Sequence, residues 1–338
     1  MLRRGVASRV DYRRCVPAAI DPHASPVADL RIAATAPIAV VDRDGFVESR
    51  HEGIVAMVAP DGSTLVAAGD VDAPFLARSA LKPLFAATIA ERLGLAGPEL
   101  ALASGSIVGR AEQVEVATAM AARLGVDAAT LRCPPRRTRW MDAPSRLGAI
   151  CVGKHVAVAA AAALVPAEED GADRAYTDPA HPIQVELRAA VEQRTGVAST
   201  ATATDGCSAP VYASSVLGMA RAVRGLAGDA ALGAVGAAMR EHAWLVEGPG
   251  APDTVLMERL GVTAKFGAEG TAVVVAPDGT AVVVKVADGS RRPGAPVALA
   301  LLEQAGAIPS GSLATVAPEL GILQHGGSAV VGSLRPLL

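Results

Sequence analysis

The chain has 338 residues, 51% of them hydrophobic and 19% charged, enough apolar material for one large domain or two small ones. A net charge of −3 gives no signal of nucleic-acid binding, and none is expected. No apolar run reaches the roughly 18 residues of a membrane helix, and the arginine-containing stretch 1–26 lacks the apolar core of a signal peptide.

Residues 1–35 are rich in Pro, Ala and Arg without a period. They are expected to form a poorly ordered extension on a single domain, 36–338, of a cytoplasmic protein. The four cysteines, Cys15, Cys133, Cys151 and Cys207, have irregular spacing and make no disulfide framework.

Structured sequence is expected from Ala36-Pro37-Ile38-Ala39-Val40-Val41. A hairpin follows, with β-rich runs over 54–58 and 64–68 around the turn Pro60-Asp61-Gly62. Arg78-Ser79-Ala80-Leu81-Lys82-Pro83 then opens an apolar helix over 84–93. Residues 112–124 carry apolar side chains at helical spacing, and Gly125 stops that helix. Residues 134–139 are an arginine-rich loop with Arg136, Arg137 and Arg139. Residues 155–164 predict a short buried helix, 166–179 an acidic loop, and 182–195 an amphipathic helix ended by Gly196. Two more helices are predicted over 212–226 and 230–246. The hairpin design then returns, with runs over 271–275 and 281–286 around Pro277-Asp278-Gly279. Hairpins near both ends predict one antiparallel sheet with helices inserted between and packed around it, an α/β (α+β) fold.

Lysine usage singles out the chemistry. Of 31 basic residues only four are lysine: Lys82, Lys154, Lys265 and Lys285. Arginine is effectively always charged, so a chain that uses it as the generic cation keeps lysine where an amine must lose its proton. Ser79 and Lys82 are three apart and share a helical face, so a neutral Lys82 can take the Ser79 proton. As a structural alternative, Ser79 caps a helix and Lys82 lies on the surface. Four other stretches stand out: Ala103-Ser104-Gly105-Ser106, Cys151-Val152-Gly153-Lys154-His155, Thr204-Asp205-Gly206-Cys207, and Ala264-Lys265-Phe266-Gly267-Ala268-Glu269-Gly270. Each has a plain alternative: a turn or cap, a packed thiol, a loop cap, and an edge-strand lysine.

Taken in order, these stretches resemble one family. Ser49-Arg50-His51-Glu52-Gly53, Ala77-Arg78-Ser79-Ala80-Leu81-Lys82-Pro83, Cys151-x-Gly153-Lys154-His155, His181-Pro182-Ile183-Gln184, Thr204-Asp205-Gly206-Cys207 and Lys265-Phe266-Gly267-Ala268-Glu269-Gly270 are similar to motifs of the thermolabile, rhizobial-type L-asparaginases. The resemblance covers about residues 36–335. It implies a serine β-lactamase/glutaminase-like fold and a small-molecule amide substrate; a homodimer is expected as well. It implies Ser79 as nucleophile with Lys82 as base, and Ser104 with Lys265 as a second pair relaying protons. Arg78 and Asp205 would hold the substrate's α-groups, with His51 and Gly206 beside them. Cys151, Lys154 and Cys207 would bind zinc.

The chain departs from that pattern around the site. The family's Ser-His-Ser-x-Glu reads Ser104-Gly105-Ser106-Ile107-Val108, and Asn-Cys-Ser-Gly-Lys-His reads Ile150-Cys151-Val152-Gly153-Lys154-His155. The family's histidine after Cys-Gly is replaced by the run Cys133-Pro134-Pro135-Arg136-Arg137. The implied activity is hydrolysis of L-asparagine through a serine acyl-enzyme, with weak binding of free asparagine. The alternatives are a diverged serine amidase or acyltransferase, and a binding protein without catalysis. The arginine loop is either solvated or reaches the cleft and favours a larger, more anionic substrate.

Overall fold

Valine runs set the centre of the fold. In the computed structural model, Val273, Val274, Val282, Val283 and Val284 are wholly buried, so these strands are covered on both faces. The structure describes residues 34–166, 169–228 and 230–338. Residues 1–33 of the expected extension, with Cys15, lie outside the described residues, while 34–338 form one compact unit.

In chain order the elements are β1 (Ala36–Arg43), β2 (Phe46–Val58), β3 (Thr64–Ala68), β4 (Pro74–Leu76), α1 (Lys82–Leu93), α2 (Gly97–Ser104), α3 (Ala111–Arg123), α4 (Val152–Ala162) and α5 (Pro182–Thr195). They continue with β5 (Thr202–Thr204), β6 (Pro210–Ser215), α6 (Val216–Val223), α7 (Ala230–Glu241), α8 (Pro252–Leu260) and β7 (Thr263–Gly267). The last are β8 (Thr271–Val275), β9 (Ala281–Val286), α9 (Gly294–Gln304), α10 (Ser312–Val316), β10 (Leu323–Gly326) and β11 (Ala329–Pro336).

The main sheet is antiparallel in the order β10-β11-β1-β2-β9-β8-β7, with β3 also on β2. The two expected hairpins are therefore its middle. They pair directly, Ile54 opposite Lys285 and Val58 opposite Ala281. Helices α6 and α9 both pack on β9, and α1, α2, α4 and α7 pack on one another in a separate helical layer. The layer is tight: a Cβ on Gly153 of α4 would lie 2.1 Å from the Leu102 carbonyl of α2, so only glycine permits that crossing.

Two expected helices are corrected. The stretch 212–226 begins as strand, because Val211, Tyr212 and Ala213 are buried in a small sheet ordered β4-β6-β5. Its helix starts only after Ser215, whose hydroxyl accepts from the Gly218 N–H as an N-cap. Helix α7 stops at Glu241, and a separate 3-10 turn, Ala243–Leu245, takes the rest.

Candidate active site

Ser79 lies on a 3-10 turn, Arg78–Leu81, between β4 and α1, and Lys82 is the first residue of α1. Arg78 holds a left-handed backbone, φ 53°. A non-glycine residue pays about 1–3 kcal/mol for this, and such strain gathers at functional sites. Edge strand β7 packs against the turn so closely that a Cβ on Gly267 would lie 2.4 Å from the Ala77 carbonyl. Glu269 (φ 57°) and Ser208 (φ 70°) are strained in the same way, and both flank stretches that line the site.

Three of the four lysines are buried here. Lys82 and Lys265 are each 1% exposed and Lys154 is 6% exposed. Lys82 Nζ donates to the Gly105 carbonyl at 2.5 Å and to Ser106 Oγ at 2.8 Å. Burial pushes its amine below the ordinary lysine value, Lys265 and Lys154 add to the effect, and Cys151 opposes it. Lys265 Nζ is ion-paired with the wholly buried Asp253 at 3.1 Å and donates to the Phe266 carbonyl at 2.6 Å.

Ser79 stands at the meeting of two cavities. One, of about 370 Å3, is lined by Arg78, Ser79, Arg136, Cys151, Asp205 and Gly206, among others. Arg78 and Asp205 clasp each other there, with Nε 2.8 Å and Nη2 2.6 Å from one carboxylate oxygen. Burial opposes ionisation of Asp205, but Lys154 and Arg78 outweigh it and hold the carboxyl below its usual range. The other cavity, of about 440 Å3, is lined by Ser79, Ser106, Ile107, Val108, Lys265 and Phe266, together with Glu247 and Arg291. A larger cavity of about 510 Å3 lies at the opposite end of the sheet, where the two Pro-Asp-Gly turns meet. Its lining among the described residues has no serine, cysteine or lysine, so chemistry rather than size identifies the site.

Cys151 and Cys207 are free thiols in one buried cluster, and Lys154 Nζ is 3.2 Å from Cys207 Sγ. A hydrogen bond from Cys207, with Lys82 and Lys154 nearby, holds the Cys151 thiol well below the ordinary cysteine value; the same contact and burial push Cys207 up. Burial works to lower Lys154, but the two sulfurs and Asp205 outweigh it and raise it. Among the described residues no group of three His, Cys, Asp or Glu is placed to hold a metal. The expected set therefore reaches three donors only by counting the Lys154 amine.

Two expected site residues fall elsewhere. Ser104 ends α2 wholly buried, and its hydroxyl donates to the Leu100 carbonyl at 3.0 Å. Gly105 is extended (φ −90°, ψ 171°), and the chain turns there so that Ser106, not Ser104, meets Lys82. Ser104→Ala is accordingly expected to change turnover less than about threefold, and Ser106→Ala to lower kcat by at least tenfold, within the usual range for a lost proton-transfer partner. Steady-state rates of the two variants check this. His51 lies on β2, with Nδ1 3.1 Å from Asp288, and lines neither cavity. Of the loop arginines only Arg136 reaches the cleft; Arg139 stacks on Trp140 at 4.3 Å.

Ser106 lies in a stretch that the sequence marks out, though Ser104 is the residue expected to act there, while Asp253, Gln113 and the Glu247–Arg291 pair carry no signal in the sequence. Asp253 follows Pro252 at the start of α8, where an acidic residue is unremarkable. Its partnership with Lys265 exists only in three dimensions.

No curated protein matches the chain significantly. Among solved structures it is similar to Mglu in its glutamate form, at 13% identity and TM-score 0.44, over 75% of this chain and 61% of that one. The chain thus spans about 61% of the length of that relative. It is similar also to a probable glutaminase from Bacillus subtilis complexed with 6-diazo-5-oxo-L-norleucine, at 15% identity and TM-score 0.34, over 75% of this chain and 82% of that one. A β-lactamase from Mycobacterium bovis gives 16% identity and TM-score 0.36, over 75% and 94%. The sequence model of the L-asparaginase II family matches residues 39–336, nearly the whole described unit, and the chain therefore belongs to that family of amidohydrolases.

Proposed function

We propose that the protein is an L-asparaginase-type hydrolase that works through a serine acyl-enzyme on Ser79. The observation that carries this reading is the half-buried Ser79 at the junction of two cavities, one turn from a buried lysine held in a low-proton-affinity setting. Neutral Lys82 removes the Ser79 proton as Oγ attacks the side-chain carboxamide carbon. The C–N bond then breaks, and ammonia leaves with a proton returned from Lys82 through the Ser106 hydroxyl, its hydrogen-bond partner. Water then attacks the ester carbon as Lys82 takes its proton, the Oγ–C bond breaks, and Lys82 returns the proton to Ser79 Oγ as aspartate leaves.

Arg78 and Asp205 suit an α-amino acid. Their clasp presents one positive and one negative group to a zwitterion. The developing oxyanion needs preorganised donors. The N–H of Ser79 is one candidate, and the N–H of Ala268, which lines both cavities just after β7, is the other. L-Asparagine turnover that is lost in Ser79→Ala tests the reading. A diverged amidase or acyltransferase on the same machinery is the second reading, favoured by Val108 and Ile150, which stand where the family pattern has an acid and an asparagine.

The donor set also fits the zinc that the resemblance implies. Two soft sulfurs and an amine converge, one thiol already favours the thiolate, and a water can complete a tetrahedron. Cys151, Lys154 and Cys207 would hold the ion, and Lys154 must release its proton to do so. When bound, zinc supplies positive charge beside the Arg78 cavity. Elemental analysis of protein purified without added metal is expected to find about one equivalent, lost in Cys151→Ser. A trace only, unchanged by that substitution, marks the cysteines as packed thiols.

A further inference from the structure

Hydrolysis of a primary amide releases ammonia, which needs almost no room. Yet the cavity on the Ser106 side of Ser79 holds about 440 Å3. The two cavities are also sorted by chemistry. The groups that suit an α-amino acid, Arg78, Asp205 and Gly206, line only the first. Ser106, which hands the leaving group its proton, lines only the second. An amide bridging Ser79 with its acyl half in the first cavity therefore directs its amine half into the second.

The second cavity is built. Ser106 N–H donates to the Val246 carbonyl at 2.6 Å, Val108 N–H to Glu247 at 3.0 Å, and Ile107 N–H to Ile150 at 2.9 Å. Buried Gln113 ties the same walls together, accepting from Gly109 and Arg110 and donating to the Trp244 and Glu247 carbonyls at 2.6 and 3.0 Å. Arg291 grips Glu247 with two bonds of 2.9 Å and lies over the Phe266 ring. Ile107, Val108, Ile150 and Phe266 give an apolar lining, and the Glu247–Arg291 ion pair adds a polar part to it. Such a space is suited to an apolar group of amino-acid size.

We propose that the preferred substrates are secondary amides, N-substituted on the leaving nitrogen by an apolar group that occupies this second cavity. The inference rests on the Ser79 acyl-enzyme reading. The Ser79 Oγ–C bond forms, the C–N bond breaks, and the departing amine takes its proton from Lys82 through Ser106; water then releases the acyl group. No further reactant is needed.

The test compares L-asparagine with N4-methyl- and N4-benzyl-L-asparagine, which share one acyl half. The expected result is a kcat/KM for the benzyl amide about tenfold or more above that of L-asparagine, the effect of burying a ring. Val108→Trp, which places a bulky ring in that cavity, should bring the ratio of the benzyl amide's kcat/KM to that of L-asparagine down towards one. The wild-type ranking stands even if the variant folds poorly. L-Asparagine as the best substrate, or an equal loss on both amides in Val108→Trp, overturns the inference while leaving the acyl-enzyme reading intact. No turnover of either series, with Ser79 never acylated, overturns both.

Discussion

Ser79→Ala is expected to abolish amide turnover, and Lys82→Arg to lower kcat by about a hundred- to ten-thousand-fold, the range for a lost general base. Arginine keeps the positive charge but cannot give up a proton, so the substitution separates charge from basicity. The structure makes this separation sharp. Lys82 is 1% exposed, bonded to the Gly105 carbonyl and the Ser106 hydroxyl, and neighboured by two other lysines. Burial and those neighbours lower its proton affinity, so the active neutral amine gains population as pH rises. The rate should climb along an alkaline limb centred below the ordinary lysine value of 10.5 and flatten in Lys82→Arg. A Lys82→Arg enzyme with wild-type kcat assigns the base elsewhere.

Asp253→Asn is expected to have the largest effect on stability. Asp253 is wholly buried, and its Oδ2 accepts from both Lys265 Nζ and the Phe266 N–H at 3.1 Å. Removing the carboxylate charge leaves an ammonium buried without a counterion, at a cost of about 3–5 kcal/mol. In a chain of this size that lowers Tm by on the order of 10 °C. Replacing both partners, Asp253→Leu with Lys265→Met, should recover most of the loss, because an apolar pair avoids desolvating two charges. The double variant should nevertheless stay inactive, since Lys265 lines the cavity beside Ser79 and Ser106. Thermal unfolding of the three proteins checks this. A Tm within about 2 °C of wild type for Asp253→Asn means the pair contributes little.

The sequence made the centre of the fold and the reactive turn legible for definable reasons. The two Pro-Asp-Gly hairpins are local signals, and they became the paired middle of the sheet. Lysine scarcity is a compositional signal, and it led to Lys82, Lys154 and Lys265, all buried around one cleft. Illegible features depend on tertiary context or on a missed boundary. Helix α2 gave no clear period, so the end of that helix was not visible; Ser104, expected to pair with Lys265, instead bonds within α2, and Ser106 meets Lys82. The stretch 212–215 reads as the start of a helix until its burial between β4 and β5 is known. The left-handed Arg78 backbone has no sequence mark at all, because arginine rarely adopts it without a surrounding structure that enforces it.

The central claim is that the acyl group is carried on Ser79, and the cleft offers a rival. Cys151 lines the same cavity as Ser79, and its thiol is held well below the ordinary cysteine value. Rapid-quench mass spectrometry of wild-type protein mixed with L-asparagine or N4-benzyl-L-asparagine, followed by peptide mapping, decides between them. The account predicts one acyl group per chain, on the peptide containing Ser79 and absent in Ser79→Ala. An acyl group on Cys151, or full turnover by Ser79→Ala, contradicts it.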